Sequence, residues 1–190
     1  LGPHAKPAIP RAIQEMKNED ARVRRGAITV IGVRALEQKE LIPHLIAALD
    51  DPDGGKEKGR AYNPVSLLAM FHLARCKSHA KAAVPKLVEI VTKKKNNYFF
   101  QSVAMTTLIR IDPQHPLPLK TARELLKRKN NPTDLRKGAG LLAVLGPHAK
   151  PAIADLIAVL KLPPFADAEA ERELKSVVLN AFGQMGPAAN

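Results

Sequence analysis

Six histidines and one cysteine are the side chains of this sequence best suited to metal binding or nucleophilic attack. The histidines are too scattered for a metal cluster on spacing alone. Cys76 is the single cysteine, so it forms no internal disulfide and no cysteine-based zinc site. It lies in an apolar stretch with helical spacing, and we therefore expect a buried or half-buried thiol. The sequence therefore predicts no metal site and no cofactor. The histidines are His4, His44, His72, His79, His115 and His148.

Patterns for other kinds of catalysis are equally absent from the sequence. There is no G-x-S-x-G turn, no pairing of cysteine with histidine and no close pair of carboxylates in a plausible cleft. The glycines Gly54 and Gly55 follow acidic residues rather than a strand, and the stretch lacks the G-K-[ST] of a phosphate loop. We interpret it as a flexible insertion and predict that the protein is not an enzyme.

Basic side chains say more about the function of the chain than its histidines and cysteine do. The chain has 30 Lys and Arg against 18 Asp and Glu, a net charge of +12 that favours acidic partners. Many of them cluster in three stretches with aromatic residues beside them, which suits a phosphate backbone or an acidic peptide with apolar anchors. The alternative is structural, because lysines after a helix stabilise its carboxyl end and aromatics before a helix pack as staples. The candidate partner-binding residues are Lys56, Lys58, Arg60, Tyr62, Lys93, Lys94, Lys95, Tyr98, Phe99, Lys127, Arg128, Lys129, Arg25 and Arg110.

A repeat positions these residues. The nine letters LGPHAKPAI occur at residues 1–9 and again at 145–153, and fainter copies lie between them. An apolar residue, followed by proline in all but the last copy, recurs in steps of 33, 42, 33 and 36 residues, a mean period typical of solenoid repeats. The five repeats span about residues 1–35, 36–77, 78–111, 112–146 and 147–186. The five anchors are Ile9, Ile42, Val84, Leu117 and Ile153.

Each repeat contains two helical patterns. Apolar residues follow the anchor at offsets of three, four and seven in every repeat but the fourth, where the pattern slips by one residue, and this spacing predicts one helix. A second pattern starts at Val23, Val65, Phe100, Leu135 and Leu174. Length varies mainly in the turn inside each repeat, and those turns share one edge of a stacked array, where repeat proteins vary what they bind. A single pair of antiparallel helices cannot bury the apolar faces of both helices, whereas stacked repeats bury these faces against one another.

These residues resemble HEAT repeats. The first helix carries an early proline, a polar turn contains Asp20, and Val23, Arg24 and Ala27 fit the Val-Arg-x-x-Ala of the second helix. The resemblance covers the whole chain and implies an all-α, right-handed, armadillo-like solenoid of about five antiparallel two-helix repeats in one domain, 1–190. It also implies a concave face lined by second helices, where Arg25 and Arg110 lie. The arginine that HEAT proteins stack into a ladder is replaced in three repeats, so we expect an interrupted ladder.

Some HEAT-like families are enzymes, and their signatures can be sought here. Deoxyhypusine hydroxylase holds iron through His-Glu motifs, but no histidine of this chain precedes a glutamate. HEAT-like alkylpurine DNA glycosylases use tryptophans near the lesion, and this chain has no Trp. Bilin lyase subunits are also HEAT-like, and no residue distinguishes that activity from simple binding. The resemblance therefore supports a binding role.

We expect a non-enzymatic scaffold that binds an acidic partner protein or peptide on its concave face or basic turn edge. The alternative is a sequence-independent nucleic-acid binder that uses the basic edge to hold the phosphate backbone. We expect no membrane span, since no run approaches about 18 apolar residues, and we expect a monomer. The sequence starts at Leu1 and ends at the same point of the repeat as it starts, so we expect it to be a segment of a longer protein. Its compartment stays open, with the cytoplasm slightly favoured.

Overall fold

All regular structure in the residues that the computed structural model describes, 8–52, 64–93 and 98–186, is helical. This confirms the all-α class expected from the sequence. Short 3₁₀ turns precede several of the α-helices and follow α3. The α-helices are α1 (Ala8–Glu15), α2 (Ala21–Arg34), α3 (Ile42–Ala47), α4 (Val65–Cys76), α5 (Val84–Thr92), α6 (Tyr98–Ile111), α7 (Pro116–Leu126), α8 (Pro132–Leu145), α9 (Ile153–Leu160) and α10 (Ala168–Met185).

The helices occur as one pair in each predicted repeat, and their starts follow the sequence signals. Helices α3 and α5 begin at the predicted anchors, with Pro43 and Pro85 in the first turn. Backbone N–H groups there have no helical acceptor, so the proline ring costs little. The second helices α2, α8 and α10 begin at polar caps. At α10, the carboxylate of Asp167 accepts hydrogen bonds from the backbone N–H groups of Glu169 and Ala170, at 3.0 and 3.1 Å.

The chain divides into two compact units, Leu1–Asp112 and Pro113–Asn190. The first unit contains α1 to α6 and the second contains α7 to α10. The division falls between the third and fourth predicted repeats, so each unit consists of whole helix pairs.

Second helices of neighbouring repeats pack on one another within each unit. In the first unit α2 packs against α4 and α4 against α6, and in the second unit α8 packs against α10. The largest fully buried side chains lie mainly on these helices, so the core follows the second-helix stripe predicted from the sequence. They are Ile28, Ile31, Leu45, Met70, Leu73, Leu87, Leu108, Ile111, Leu135, Leu142, Leu156 and Met185.

A buried ion pair joins the first two repeats. The guanidinium of Arg24 binds both carboxylate oxygens of Asp51, with Nε to Oδ2 at 2.8 Å and Nη2 to Oδ1 at 2.9 Å. Its Nη1 donates to the backbone carbonyls of Asn18 and Glu19 in the turn of its own repeat. Arg24 therefore holds a turn and a neighbouring repeat together, which a bidentate, hydrogen-bonded arginine does better than a point charge.

The same position in the other repeats shows how the ladder is interrupted. In repeat four, Arg136 forms an exposed ion pair with Glu173 of repeat five. In repeat three, Gln101 donates from Nε2 to the backbone carbonyl of Lys93 at 2.8 Å, which fastens the turn of its own repeat but carries no charge. Arg136 thus keeps a charged contact with the next repeat, whereas the contact of Gln101 lies within its own repeat.

One stretch, Pro132–Leu160, is long and apolar enough to cross a membrane by length and composition alone. Core helices of soluble proteins share these properties, so they are weak evidence for a membrane span. The stretch consists of α8 and α9 separated by a 3₁₀ turn, with Gly146 in the left-handed region at φ 56°. A bilayer requires about 20 continuous helical residues, and α8 has 14.

Candidate partner-binding groove

The structure describes about half of the side chains that the sequence nominates for partner binding. Those of the insertion in repeat two, together with two lysines of repeat three, lie outside the described residues. The nominated residues outside the described part are Lys56, Lys58, Arg60, Tyr62, Lys94 and Lys95.

In repeat three, the described part of the turn is exposed. Lys93 follows α5 and forms an ion pair with Glu89, one helical turn earlier. Tyr98 and Phe99 occupy the first turn of α6 with 54% and 57% of their surface exposed. Aromatic rings this exposed offer apolar area to a partner.

In repeat four, the basic turn after α7 is exposed as well. Arg128 is paired with Asp134, with Nη1 to Oδ2 at 2.9 Å. Lys127 and Lys129 line a shallow pocket of about 210 Å³ against the apolar side chain of Val159 on α9. The Arg128 charge is thus already matched within the protein, which leaves the two lysines as the basic groups of this pocket.

A larger groove lies between the second helices α4 and α6 of the first unit. Its volume is about 300 Å³. Phe71 of α4 forms one wall and is 58% exposed, an unusual state for a phenylalanine in the middle of a helix. The nominated Arg110 lies in this groove, near the end of α6. The full lining is Phe71, Ala74, Arg75, Ser102, Val103, Thr106, Thr107 and Arg110.

Two arginines give the groove its charge. Arg75 places its guanidinium 5.9 Å from the centre of the Phe71 ring, within cation–π range. Arg75 and Arg110 are both exposed, and neither is ion-paired with a carboxylate of the described residues. Both stand ten residues after the second-helix anchors of their repeats, Val65 and Phe100. The groove therefore combines an apolar surface with two cationic groups, which suits a carboxylate next to an apolar side chain.

Sequence reasoning predicted only part of this groove. It placed Arg110 on the face lined by second helices, but it nominated neither Phe71 nor Arg75. The missed signal was the register: Phe71 and Thr106 both stand six residues after their anchors, so they share a face. Arg25, on α2, is half-buried and is not among the residues that line the groove.

The groups with possible chemistry lie apart from one another. In the described part of the chain, no group of three His, Cys, Asp or Glu side chains is close enough to hold a metal ion. Cys76 is buried, as expected from the sequence, and burial raises the pKa of its thiol. His72 is also buried, and neither ring nitrogen has a hydrogen-bond partner. Burial, followed by the nearby charge of Arg75, lowers the pKa of His72.

Comparison with protein families, with curated proteins and with solved structures finds no match to this chain. The likeness to HEAT repeats therefore depends on the residues of the chain and on the paired helices they form.

Proposed function

We propose that the chain is a HEAT-like, right-handed α-solenoid that acts as a non-enzymatic scaffold for an acidic partner protein or peptide. The binding site is the groove between α4 and α6. One observation carries the proposal: Phe71 is exposed in the middle of a second helix and is flanked by the cationic Arg75 and Arg110.

The helix arrangement supports the solenoid. Repeated packing of second helix on second helix places equivalent positions side by side along one face. Arg75 and Arg110 are such equivalent positions on α4 and α6, so an extended acidic segment could meet both. The exposed ring of Phe71 then supplies the apolar anchor that typically dominates the binding energy of such contacts.

The charge of the whole chain supports an acidic partner. A net charge of +12 attracts acidic molecules from beyond contact distance and speeds their encounter with the groove. Such attraction is weakened by salt. Recognition in the groove adds the apolar contact with Phe71, which salt does not screen.

A selection from a random peptide library displayed on phage tests this function. The proposal predicts that peptides enriched on the parent protein contain Asp or Glu next to a large apolar residue. The same selection on Arg75→Glu/Arg110→Glu protein should lose the acidic preference. Peptides without an acidic residue, or the same peptides from both proteins, would contradict the proposal.

A second function, sequence-independent nucleic-acid binding, is favoured by Lys127 and Lys129 at the pocket after α7, since neither forms an ion pair with a carboxylate of the described residues. Titration with a mixed-sequence duplex at low and high salt tests it. Binding that collapses with salt, and that is lost when the basic turn residues are neutralised, would favour this alternative. The residues to neutralise are Lys93, Lys94, Lys95, Lys127, Arg128 and Lys129.

A further inference from the structure

The groove between α4 and α6 collects positive charge that its own lining does not offset. Arg75 and Arg110 line it, and the other residues of the lining are uncharged. Neither arginine is ion-paired with a carboxylate of the described residues. By contrast, Arg24, Arg123 and Arg136 all bind carboxylates. A ligand group with a single negative charge would therefore leave one guanidinium of the groove unmatched.

The two arginines occupy equivalent places on neighbouring helices. Helices α4 and α6 pack on one another, and the axes of packed helices lie about 8 to 10 Å apart. Arg75 and Arg110 each stand ten residues after the anchor of their helix, so we expect their backbones to be separated by about that distance. Long side chains bridge such a gap, and both guanidinium groups can then reach one ligand group between them.

A role at the helix ends alone does not explain this arrangement. Each arginine lies in the last turn of its helix, where a positive charge stabilises the negative end of the helix dipole. That role requires no common orientation. Here the guanidinium of Arg75 lies 5.9 Å from the centre of the exposed Phe71 ring, and Arg110 lines the same groove from the next helix. The two arginines therefore border a common site.

Hydroxyl groups add to the polar lining of the groove. Ser102, Thr106 and Arg110 follow one another at intervals of four residues on α6, so they lie along one face of that helix, and all three line the groove. Hydroxyl groups donate hydrogen bonds, as guanidinium groups do. The lining thus offers a row of donors opposite Arg75, which suits a group with several acceptor oxygens.

A phosphate monoester has the charge and the oxygens that this lining fits. Phosphoserine carries a charge of about −1.5 to −2 at pH 7 and three strong acceptor oxygens. Arginine binds such oxygens in a bidentate manner, and two arginines together match the charge. A carboxylate offers one charge and two oxygens, and each phosphate of a nucleic-acid backbone carries one charge. The groove therefore favours a phosphorylated side chain over both.

We propose that the groove binds a phosphorylated segment of the partner protein, with the phosphate between Arg75 and Arg110 and an adjoining large apolar side chain on Phe71. This inference rests on the proposed function and names the acidic group that the site recognises. At about 300 Å³ the groove is at the small end of ligand sites, which suits one side chain and its neighbour rather than a long acidic segment. Phosphorylation of the partner then switches binding on, and removal of the phosphate switches it off.

Three matched peptide libraries test the proposal. Each has random flanking residues around a fixed centre, which is phosphoserine in the first library, Glu in the second and Ser in the third. The parent protein should enrich phosphoserine peptides that carry a large apolar residue beside the centre. The best sequence, made with each of the three centres, should bind at least about tenfold more tightly with phosphoserine than with Glu, because the phosphate adds charge-assisted hydrogen bonds.

The double variant Arg75→Lys/Arg110→Lys assigns this preference to the groove. It keeps the net charge but removes the planar fork that binds phosphate in a bidentate manner. The advantage of phosphoserine over Glu should fall to about threefold or less. Arg11→Lys is the matched control, since Arg11 is exposed and ion-paired with Glu15 on α1, and it should keep the full advantage. Phe71→Ala should weaken both peptides together and leave their ratio unchanged.

The outcomes separate this inference from the function on which it rests. Phosphoserine and Glu peptides that bind the parent equally would overturn the inference and leave an acidic-peptide scaffold standing. Binding of neither peptide would overturn both. A phosphoserine preference that persists in the double variant would place the phosphate on another surface and would also overturn the inference.

Competition with nucleic acid supplies the last arm of the test. The phosphoserine peptide, bound to the parent, is challenged with a mixed-sequence duplex at an equal concentration of phosphate groups. The peptide should stay bound, because the groove is matched to a monoester with its higher charge. Displacement by the duplex would overturn the inference and assign the groove to a nucleic-acid backbone.

Discussion

Gly32 of α2 and His72 of α4 lie so close that a side chain at position 32 would collide with the imidazole. A Cβ built on Gly32 falls 2.1 Å from Cγ of His72. The glycine therefore lets two second helices approach closely, and the histidine ring fills the space that this leaves.

Gly32→Ala should lower the free energy of unfolding by about 1 to 3 kcal/mol, because the His72 ring or the helix must move. The matched control is Gly183→Ala, at the same position of repeat five. It should stabilise the protein by about 0.5 to 1 kcal/mol, because alanine favours the helix and meets nothing there. Urea denaturation of the two variants measures both effects, and effects of the same sign would contradict this account.

His72 should make stability depend on pH. Burial, with the charge of Arg75 second, lowers the pKa of His72 below its ordinary value of 6.5, so the folded protein binds this proton less readily than the unfolded chain. The resulting stability is fully present above pH 6.5 and is lost as pH falls towards the folded pKa.

Urea denaturation at pH 7.5 and pH 5 should show that loss in the parent and a smaller one in His72→Phe. His79→Gln replaces an exposed histidine as the control and should behave like the parent. A parent and His72→Phe protein that respond equally to pH would assign the dependence to other groups.

The ion pairs Arg24–Asp51 and Arg136–Glu173 should contribute differently to the free energy of unfolding. The side chains of Arg24 and Asp51 are 11% and 7% exposed, whereas those of Arg136 and Glu173 are 44% and 47% exposed. Arg24→Ala removes the bidentate guanidinium from the buried carboxylate of Asp51 and from two backbone carbonyls, so it should cost about 3 to 5 kcal/mol. Arg136→Ala should cost less than about 1 kcal/mol. Equal losses in urea denaturation would show that burial does not set the strength of these pairs.

The sequence was sufficient for the helices and insufficient for the groove. Apolar spacing is a local property, so it predicted first helices that begin at Ile42 and Val84, where α3 and α5 begin. Nothing in the sequence around Gly32, however, identifies His72 as the residue that packs against it. That partner lies 40 residues further along the chain, and only the stacking of α2 on α4 brings the two together.

Phe71 illustrates the same limit for the candidate site. Its neighbours in sequence are mostly apolar, so the local sequence favours burial. The exposure of the ring depends instead on how α4 packs beside α6. Arg110 was nominated because its face of the helix could be derived from the repeat, whereas the pairing of Arg75 with an aromatic ring could not. The side chains of residues 53–63 and 94–97 stay predictions.

The claim that the α4–α6 groove is the partner-binding site is tested most directly by titrating a fluorescent acidic peptide from the library selection into three proteins. The parent and Phe99→Ala should bind it equally, and Phe71→Ala should bind it at least about tenfold more weakly, a loss of about 1.4 kcal/mol. Phe71 is largely exposed, so the variant should keep its folding stability. Unchanged affinity in a folded Phe71→Ala protein would contradict the assignment of the groove.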